Sequence, residues 1–259
     1  MEQSLLKPDE YAAAADQQKY RAADQILATC SVHGVAAVAC VNAGKRGRKG
    51  RTAAIGATVF WLTCPHLNNL IARWERCGAV SKLSDTLRTH SALLEAHVAS
   101  HEVYESRVLS LLPEGQRQFF KEHYIDCSPD KRKFGNAAVR HSEDVKCLHA
   151  LVAQAMCGSP NPLGDALLAY IHGVHLHVSE LTSTEDGTAA KLHCHTSIRA
   201  VVDDMDSLQT FVGEFSLHRE CVHMQDKPFD AHRHCMAAAE ILMACEGHAP
   251  RMRKKHRRN

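Results

Sequence analysis

The strongest constraint on the fold is a series of helix-length apolar segments with recognisable starts and ends. Pro65 marks the start of one segment, because proline suits the first turn of a helix, and Gly78 marks its end. The residues between them recur at helical spacing: Leu67, Leu70, Ile71 and Trp74. A longer helical region is predicted from about residue 84 to residue 112. The central part of the chain is therefore predicted to be mainly α-helical.

Further helices are predicted on both sides of this region. The Ala-rich segment at residues 8–30 begins with Pro-Asp-Glu and is predicted to be helical. Ser142 is the predicted N-cap of a later helix, with acidic residues in its first turn, and Pro162 begins the next helix. Two more helices are predicted near the C-terminus, at residues 206–222 and 229–247.

Two pairs of short strands are also predicted. Residues 35–41 and 58–64 are apolar segments that flank a basic loop at residues 44–51, so they are predicted to form a two-stranded element. Residues 174–181 and 189–197 flank an Asp-Gly turn, which predicts a C-terminal hairpin. The predicted fold class is therefore mainly α with small β elements (α+β).

These elements divide the chain into three predicted parts. Residues 1–173 are predicted to form a helical domain, and residues 174–250 a C-terminal extension with the hairpin and two helices. Residues 251–259 hold six lysines or arginines and are predicted to be a disordered basic tail.

The chain has 11 cysteines and 19 histidines, but no two cysteines have the CxxC spacing. The motifs of zinc fingers and thioredoxins are therefore absent. Four acidic residues near the N-terminus argue against a signal peptide or a transit peptide: Glu2, Asp9, Glu10 and Asp16. No apolar run approaches the length of a membrane span. The sequence predicts reduced thiols in a cytoplasmic or nuclear protein with no membrane partner.

Four short segments follow one another in a distinctive order. They are TVFWLTCP (58–65), HEVY (101–104), VKCLHA (145–150) and NPLG (161–164). This set resembles the family known as domain of unknown function 501, over roughly residues 33–172. The C-terminal extension lies outside the resemblance, and the basic loop replaces the turn that the family usually has after its first strand. The resemblance implies a shared fold but no reaction, because the family has no established one.

Cys147 and His149 lie in the third of these segments, inside the helix predicted to follow Ser142. Residues two apart on an α-helix point about 200° away from each other. The two side chains are therefore not expected to bind one ion by themselves. Each is either a buried core residue or a partner of ligands from another segment.

His97 and His101 are four residues apart on the long predicted helix, a spacing at which two imidazoles reach one metal ion. His90 is predicted on the same stripe, which is also compatible with ordinary core packing. Cys64 is predicted at a helix start, where the helix dipole stabilises a thiolate. A buried thiol at a capping position is the alternative for Cys64.

The leading functional hypothesis is an intracellular protein with a transition-metal site, and zinc is the expected ion because the donors are imidazoles and thiolates. The predicted ligands are Cys64, His97, His101, Cys147 and His149. The sequence leaves open whether the site is structural or catalytic. A catalytic site would activate a water molecule, so the expected reaction class is hydrolytic.

Two other patterns suggest binding sites. Four histidines of the hairpin converge on one face only if the strand register aligns them: His175, His177, His193 and His195. The alternative function is an RNA- or ribonucleoprotein-binding scaffold that uses the basic loop and tail. The residues expected to bind nucleic acid are Lys45, Arg46, Arg48, Lys49, Arg51, Arg253, Lys254 and Lys255. A structural, partner-binding domain is a third alternative.

Overall fold

The computed structural model describes residues 25–30, 34–39, 55–174, 176–182, 189–194 and 231–246. Its helices are α1 (Pro65–Arg76), α2 (Ala79–Thr89), α3 (Ser91–Leu111), α4 (Glu114–Phe120), α5 (Leu148–Met156), α6 (Pro162–Val174) and α7 (Ala231–Glu246), with a π-helical segment at Lys121–Ile125. Its strands are β1 (Gln25–Cys30), β2 (Gly34–Ala39), β3 (Phe60–Leu62), β4 (Leu176–Thr182) and β5 (Ala189–Cys194). The described part of the chain is mostly helical with a small sheet, which confirms the predicted fold class.

The five strands form one sheet in the order β3-β2-β1-β5-β4. Strands β1, β2 and β3 pair antiparallel, and so do β4 and β5. The hairpin of β4 and β5 joins the other three strands through a parallel pairing of β5 with β1. The predicted pairing of β2 with β3 and the predicted hairpin are both confirmed, although the turn of the hairpin lies outside the described residues.

Strand β1 occupies the end of the segment that the sequence predicted to be helical. Ile26 is 46% exposed, whereas the next residue, Leu27, is buried. Strand β1 also lies between two other strands, so its backbone N–H and C=O groups have partners on both sides. The helical prediction for residues 25–30 is therefore wrong, because tertiary pairing outweighs a weak local preference.

The long helical region predicted from residue 84 consists of two helices, α2 and α3, which are separated at His90. The backbone of His90 is extended, with φ −128° and ψ 94°. The Thr89 hydroxyl donates a hydrogen bond to the carbonyl of Thr86, and the His90 Nδ1 lies 2.8 Å from the same oxygen. Side chains that bond nearby backbone in this way compete with helix propagation. His90 is consequently the N-cap of α3 and does not belong to the stripe of His97.

Helix α5 begins at Leu148, and its N-cap lies five residues later than Ser142, the predicted N-cap. Its N-cap is Cys147, whose backbone is extended with φ −150° and ψ 117°. The N–H of Leu148 donates to the Glu75 carboxylate at 2.7 Å, so a side chain of α1 provides the cap that was expected from Ser142. The prediction of Ser142 as N-cap is therefore wrong, and this shift determines the geometry of the site.

Helix α5 lies at the centre of the core, and its Leu148, Val152 and Ala153 side chains are fully buried. The side chain of Asn136 ties α5 to β3. Its amide oxygen accepts hydrogen bonds from the N–H groups of Val59, just before β3, and Phe60, the first residue of β3. Its amide nitrogen donates to the carbonyls of Phe60 and Ala150. These bonds fix the start of α5 relative to the sheet.

The NPLG segment fixes α6 against α5. Asn161 accepts from the N–H of Gly164 at 2.6 Å and donates to the carbonyl of Leu151 in α5 at 3.0 Å. A Cβ atom at Gly164 would collide with the same Leu151 carbonyl oxygen, so only glycine permits this close helix crossing. The segment therefore has a direct packing role.

Helix α7 packs against α1, α2 and α6, so the described C-terminal helix contacts the central helices. The Cys245 thiol in α7 lies 3.9 Å from the carbonyl oxygen of Cys77 at the end of α1. In the described part of the chain, no helix combines the length and the apolar character needed to cross a membrane.

Candidate metal-binding site

Three side chains with metal-binding atoms meet where α5 begins. Glu75 lies in the last turn of α1, Cys147 is the N-cap of α5, and His149 is the second residue of α5. One donor atom from each lies within 4.8 Å of the other two. Within the described ranges, this is the one group of three histidine, cysteine or acidic side chains with that geometry.

Cys147 and His149 meet because only one of them is helical. The Cys147 Sγ lies 4.0 Å from the His149 Nδ1. The prediction that the pair points in opposite directions assumed a regular helix through both residues. The extended backbone of Cys147 removes the 200° rotation between them, so that prediction is wrong.

His149 has one ring nitrogen held by the backbone and the other turned toward the cluster. Its Nε2 donates to the carbonyl oxygen of Asn68 at 3.1 Å, since a carbonyl can only accept. Its Nδ1 lies 3.2 Å from the Glu75 Oε1. A backbone acceptor on the distal N–H is the usual way in which proteins orient a metal-binding histidine. The Nδ1 lone pair of the neutral ring is therefore available to a metal ion.

Glu75 was not among the predicted site residues, although one sequence signal pointed to it. A carboxylate in the last turn of a helix opposes the helix dipole, and Glu75 occupies that position in α1. The structure compensates for this by directing the carboxylate to the positive N-terminus of α5 and to His149. An acidic residue at an unfavourable helix end indicates a partner from another segment.

The electrostatics of the metal-free site favour an ion pair. Burial by itself lowers the pKa of His149, but hydrogen bonds with Cys147 and Glu75 and the charge of Glu75 raise it to about 10. Burial raises the pKa of Glu75, and its contacts with His149 and Leu148 outweigh this and hold the pKa below its usual value. A metal ion would replace the proton on His149 Nδ1.

The cluster opens onto a cleft of about 390 Å³. The residues that line the cleft include Asn68, Cys147 and His149, together with Phe60, Trp61 and Leu62 of β3. This volume is at the small end of the range for ligand-binding pockets. Cys147 and His149 are half-buried, so a small molecule in the cleft reaches them.

A family model described as "Protein of unknown function (DUF501)" matches residues 27–169, more than half of the chain. The chain belongs to the DUF501 family. The family resemblance predicted from four short segments is therefore confirmed. No curated protein and no solved structure matches the chain.

The four DUF501-like segments lie at the start of α5 and in the elements that pack around it. VKCLHA contains Cys147 and His149, and NPLG packs α6 on α5. In HEVY, the Tyr104 hydroxyl donates to the carbonyl of Ala57 and accepts from the N–H of Val59 in the TVFWLTCP segment. The segments that identify the family thus include two cluster residues and the contacts around them.

The predicted ligands His97 and His101 form a separate pair in the core. Their ring centroids are 5.0 Å apart, and the side chains are 1% and 5% exposed. The His101 Nε2 donates to the carbonyl oxygen of Ser142 at 2.7 Å. Neither histidine belongs to the cluster of three. Cys64, the N-cap of α1, is fully buried and also lies outside that cluster.

The environment of His97 is the opposite of that of His149. Among the described residues, no group forms a hydrogen bond with either ring nitrogen of His97. Burial and, second, the neighbouring His101 lower the pKa of His97 to about 4, and the nearby main chain of Asp144 offsets only part of this. The pKa of His101 is also lowered, mainly by burial. Both imidazoles are therefore neutral at pH 7.

The remaining predicted site residues lie mostly outside the described part of the chain. This applies to the basic loop and the basic tail, with all eight residues expected to bind nucleic acid, and to His175 and His195. In the hairpin, His177 pairs with His193 in the strand register.

Proposed function

We propose that the protein binds a zinc ion through Glu75, Cys147 and His149. The observation that supports this is the close approach of the three donor atoms, with His149 oriented by the Asn68 carbonyl. The proposal retains two predicted ligands, Cys147 and His149, and adds Glu75. Within the described residues, His97, His101 and Cys64 are not part of this cluster.

The donor set and its spacing fit zinc. Zn–N and Zn–S bonds of about 2.0 and 2.3 Å place neighbouring donors of a tetrahedron about 3.5 Å apart. The Glu75 Oε1 and the Cys147 Sγ lie 3.2 and 4.0 Å from the His149 Nδ1. Both distances lie within about half an ångström of the tetrahedral spacing, and all three donor atoms lie within 4.8 Å of one another. A mixed set of one sulfur, one nitrogen and one oxygen donor suits zinc better than magnesium or calcium.

Three protein ligands leave the fourth zinc position open, as in catalytic zinc sites. Because Cys147 and His149 line the cleft, we place that position on the cleft side. A zinc ion held by these three residues would lower the pKa of a bound water toward neutrality and so supply a nucleophile. Hydrolysis of a small molecule held in the cleft is therefore the reaction class that we propose.

Metal analysis and zinc titration test the proposal. We expect the purified protein to bind one zinc ion per chain. The variants Glu75→Gln, Cys147→Ala and His149→Ala should each lower zinc affinity on the order of a hundredfold or more. Matched controls that lie away from the cluster, Glu102→Gln, Cys127→Ala and His123→Ala, should retain it. Zinc bound at less than a tenth of an equivalent, or equal loss in variants and controls, would refute the proposal.

A second candidate function is thiol chemistry at Cys147 without a metal. Cys147 is half-buried and lines the cleft, and its Sγ lies 4.0 Å from the His149 Nδ1, within reach of a base. Iodoacetamide labelling distinguishes the two candidates. Zinc-dependent protection of Cys147 supports the metal site. Faster labelling of Cys147 than of Cys127 in a protein that fails to bind zinc supports the thiol instead.

Binding of RNA or a ribonucleoprotein through the basic loop and tail stays a prediction from the sequence. Its residues lie outside the described part of the chain.

A further inference from the structure

The cleft beside the proposed zinc site is lined by both polar and apolar residues. Phe60 and Leu62 of β3 are 1% and 3% exposed, so their side chains lie in the core. Trp61, between them, is half-buried and is the aromatic residue at the cleft that a ligand can contact. Cys147 and His149 provide polar groups, and Lys146, which precedes them in the chain, also lines the cleft. A ligand that fills the cleft would contact both polar and apolar residues.

Few of the polar groups in the cleft are available to a ligand. Asn136 lines the cleft, but its amide already makes four hydrogen bonds to the backbone, so its capacity is used. The Asn68 carbonyl is occupied by His149. Lys146, in contrast, is exposed, and its ammonium makes one long hydrogen bond, 3.4 Å, to the carbonyl of Ala137. Lys146 is therefore the group best able to turn to a ligand.

The charge of the cleft is positive. None of the described residues that line it is acidic, and Lys146 is its only lysine or arginine. A zinc ion would be neutralised by the Glu75 carboxylate and the Cys147 thiolate, with His149 neutral. The net charge at the zinc-loaded cleft would then be the single positive charge of Lys146. A cationic ligand would find no partner among these residues.

We propose that the cleft binds a small organic anion, a carboxylate or a phosphate, whose charged group pairs with Lys146 and whose apolar part lies against Trp61. The inference rests on the proposed function, because it places this anion next to the open zinc position as the substrate class. The volume of about 390 Å³ limits the ligand to a small molecule. Lys146 is a binding residue in this proposal.

Intrinsic fluorescence of the zinc-loaded, full-length protein provides the test. The chain has two tryptophans, of which Trp61 lines the cleft and Trp74 is fully buried in the core. Benzoate and phenyl phosphate are the anionic probes, benzylamine is the cationic probe, and inorganic phosphate lacks the apolar part. We expect the two aromatic anions to quench Trp61 in a saturable way, and benzylamine and inorganic phosphate to bind at least tenfold more weakly. The variant Trp61→Phe should remove the signal.

Variants of Lys146 complete the test. Lys146→Gln should weaken benzoate or phenyl phosphate binding about tenfold, which is the loss of one charged partner. Lys131→Gln, on the exposed surface outside the cleft, should leave it unchanged. Zinc titration of Lys146→Gln should give the wild-type stoichiometry, which shows an intact site.

The outcomes separate the two proposals. If zinc binds but the anions and benzylamine bind alike, or if Lys146→Gln has no effect, the anion inference is overturned and the zinc site stands. If zinc fails to bind, the proposed function is overturned; Lys146-dependent benzoate binding to the metal-free protein would then support an anion cleft in its own right. The relative affinity of benzoate and phenyl phosphate identifies which anion the cleft prefers.

Discussion

Two histidine-containing pairs, Cys147–His149 and His97–His101, lie in different environments of the same fold. His149 is half-buried, and both of its ring nitrogens have partners. His97 is almost fully buried and, among the described residues, has no hydrogen-bond partner on its ring. The pKa of His149 is accordingly raised to about 10, and that of His97 is lowered to about 4.

This difference shows that the charge state of a histidine depends more on its neighbours than on its spacing in the sequence. The His97–His101 pair has the i,i+4 spacing of helical zinc ligands, yet the described structure provides no third donor to complete a cluster. The Cys147–His149 pair lacks that spacing, and Glu75 completes its cluster. Nearby carboxylates and backbone carbonyls favour a charged or metal-bound imidazole, whereas an apolar core favours a neutral one.

The largest expected effect is acid destabilisation through His97. Its pKa is about 4 in the folded protein and near 6.5 in the unfolded chain, so the unfolded state binds more protons between these values. Stability is therefore lost as the pH falls from 6.5 to 4, by about 3 kcal/mol for this group. Urea unfolding at pH 7 and pH 4.5 measures it. His97→Leu should reduce the difference, and an unchanged difference would contradict the assignment.

The second effect separates the two pairs by zinc binding. His149→Ala should lower zinc affinity on the order of a hundredfold, about 2.7 kcal/mol. His97→Ala and His101→Ala should keep the wild-type affinity in a competition assay with a chromogenic chelator. Loss of zinc from the His97 or His101 variant, with a folded spectrum by circular dichroism, would reverse the roles that we give to the two pairs.

The third effect is an alkaline loss of stability in the metal-free protein. The folded pKa of His149 lies above its unfolded value, so its ion pair with Glu75 stabilises the fold fully below pH 6.5 and is lost as the pH rises toward 10. Because both side chains are about a quarter exposed, we expect about 1–2 kcal/mol. Urea unfolding in chelator at pH 6.5 and pH 9.5 tests this. Glu75→Gln should flatten the difference, and a full-sized difference in that variant would exclude the ion pair as its cause.

The smallest effect concerns the closed surroundings of His101. Gly135 has φ +58°, and a Cβ atom there would lie 2.7 Å from the His101 Nδ1. Gly135→Ala should therefore destabilise the fold by about 1–2 kcal/mol, from backbone strain and the contact. Gly115→Ala is the matched control, because a Cβ at Gly115 meets no atom within 4 Å. Equal midpoints of thermal unfolding for both variants would show that the space beside His101 accommodates an added methyl group, which would contradict the prediction.

Many helix and strand positions could be predicted from local signals. Pro65, Gly78 and Pro162 mark helix ends that the structure confirms, because proline and glycine restrict or permit backbone angles regardless of the remaining fold. The break at His90 and the strand at residues 25–30 were missed. Their backbone is stabilised by side-chain and strand partners that a single segment does not reveal.

Two of the three residues of the candidate site could be predicted, but their arrangement and Glu75 could not. Cys147 and His149 were identified from their chemistry, but their mutual orientation depends on where α5 begins. That position is determined by Glu75, 73 residues away along the chain, which accepts from the N–H of Leu148. Local helix-capping preference favoured Ser142 instead. A cap supplied by another helix is a long-range contact, which local patterns do not contain.

The sequence by itself determined the fold class, the family and the presence of thiol and imidazole donors, because these depend on residue type and local spacing. Only the tertiary structure decided which donors meet. It brought α1 against the start of α5, placed Glu75 beside Cys147 and His149, and placed His97 and His101 in a separate part of the core. The physical reason is that a cluster requires donor atoms within a few ångströms of one another, and that proximity arises from the packing of helices far apart in the chain.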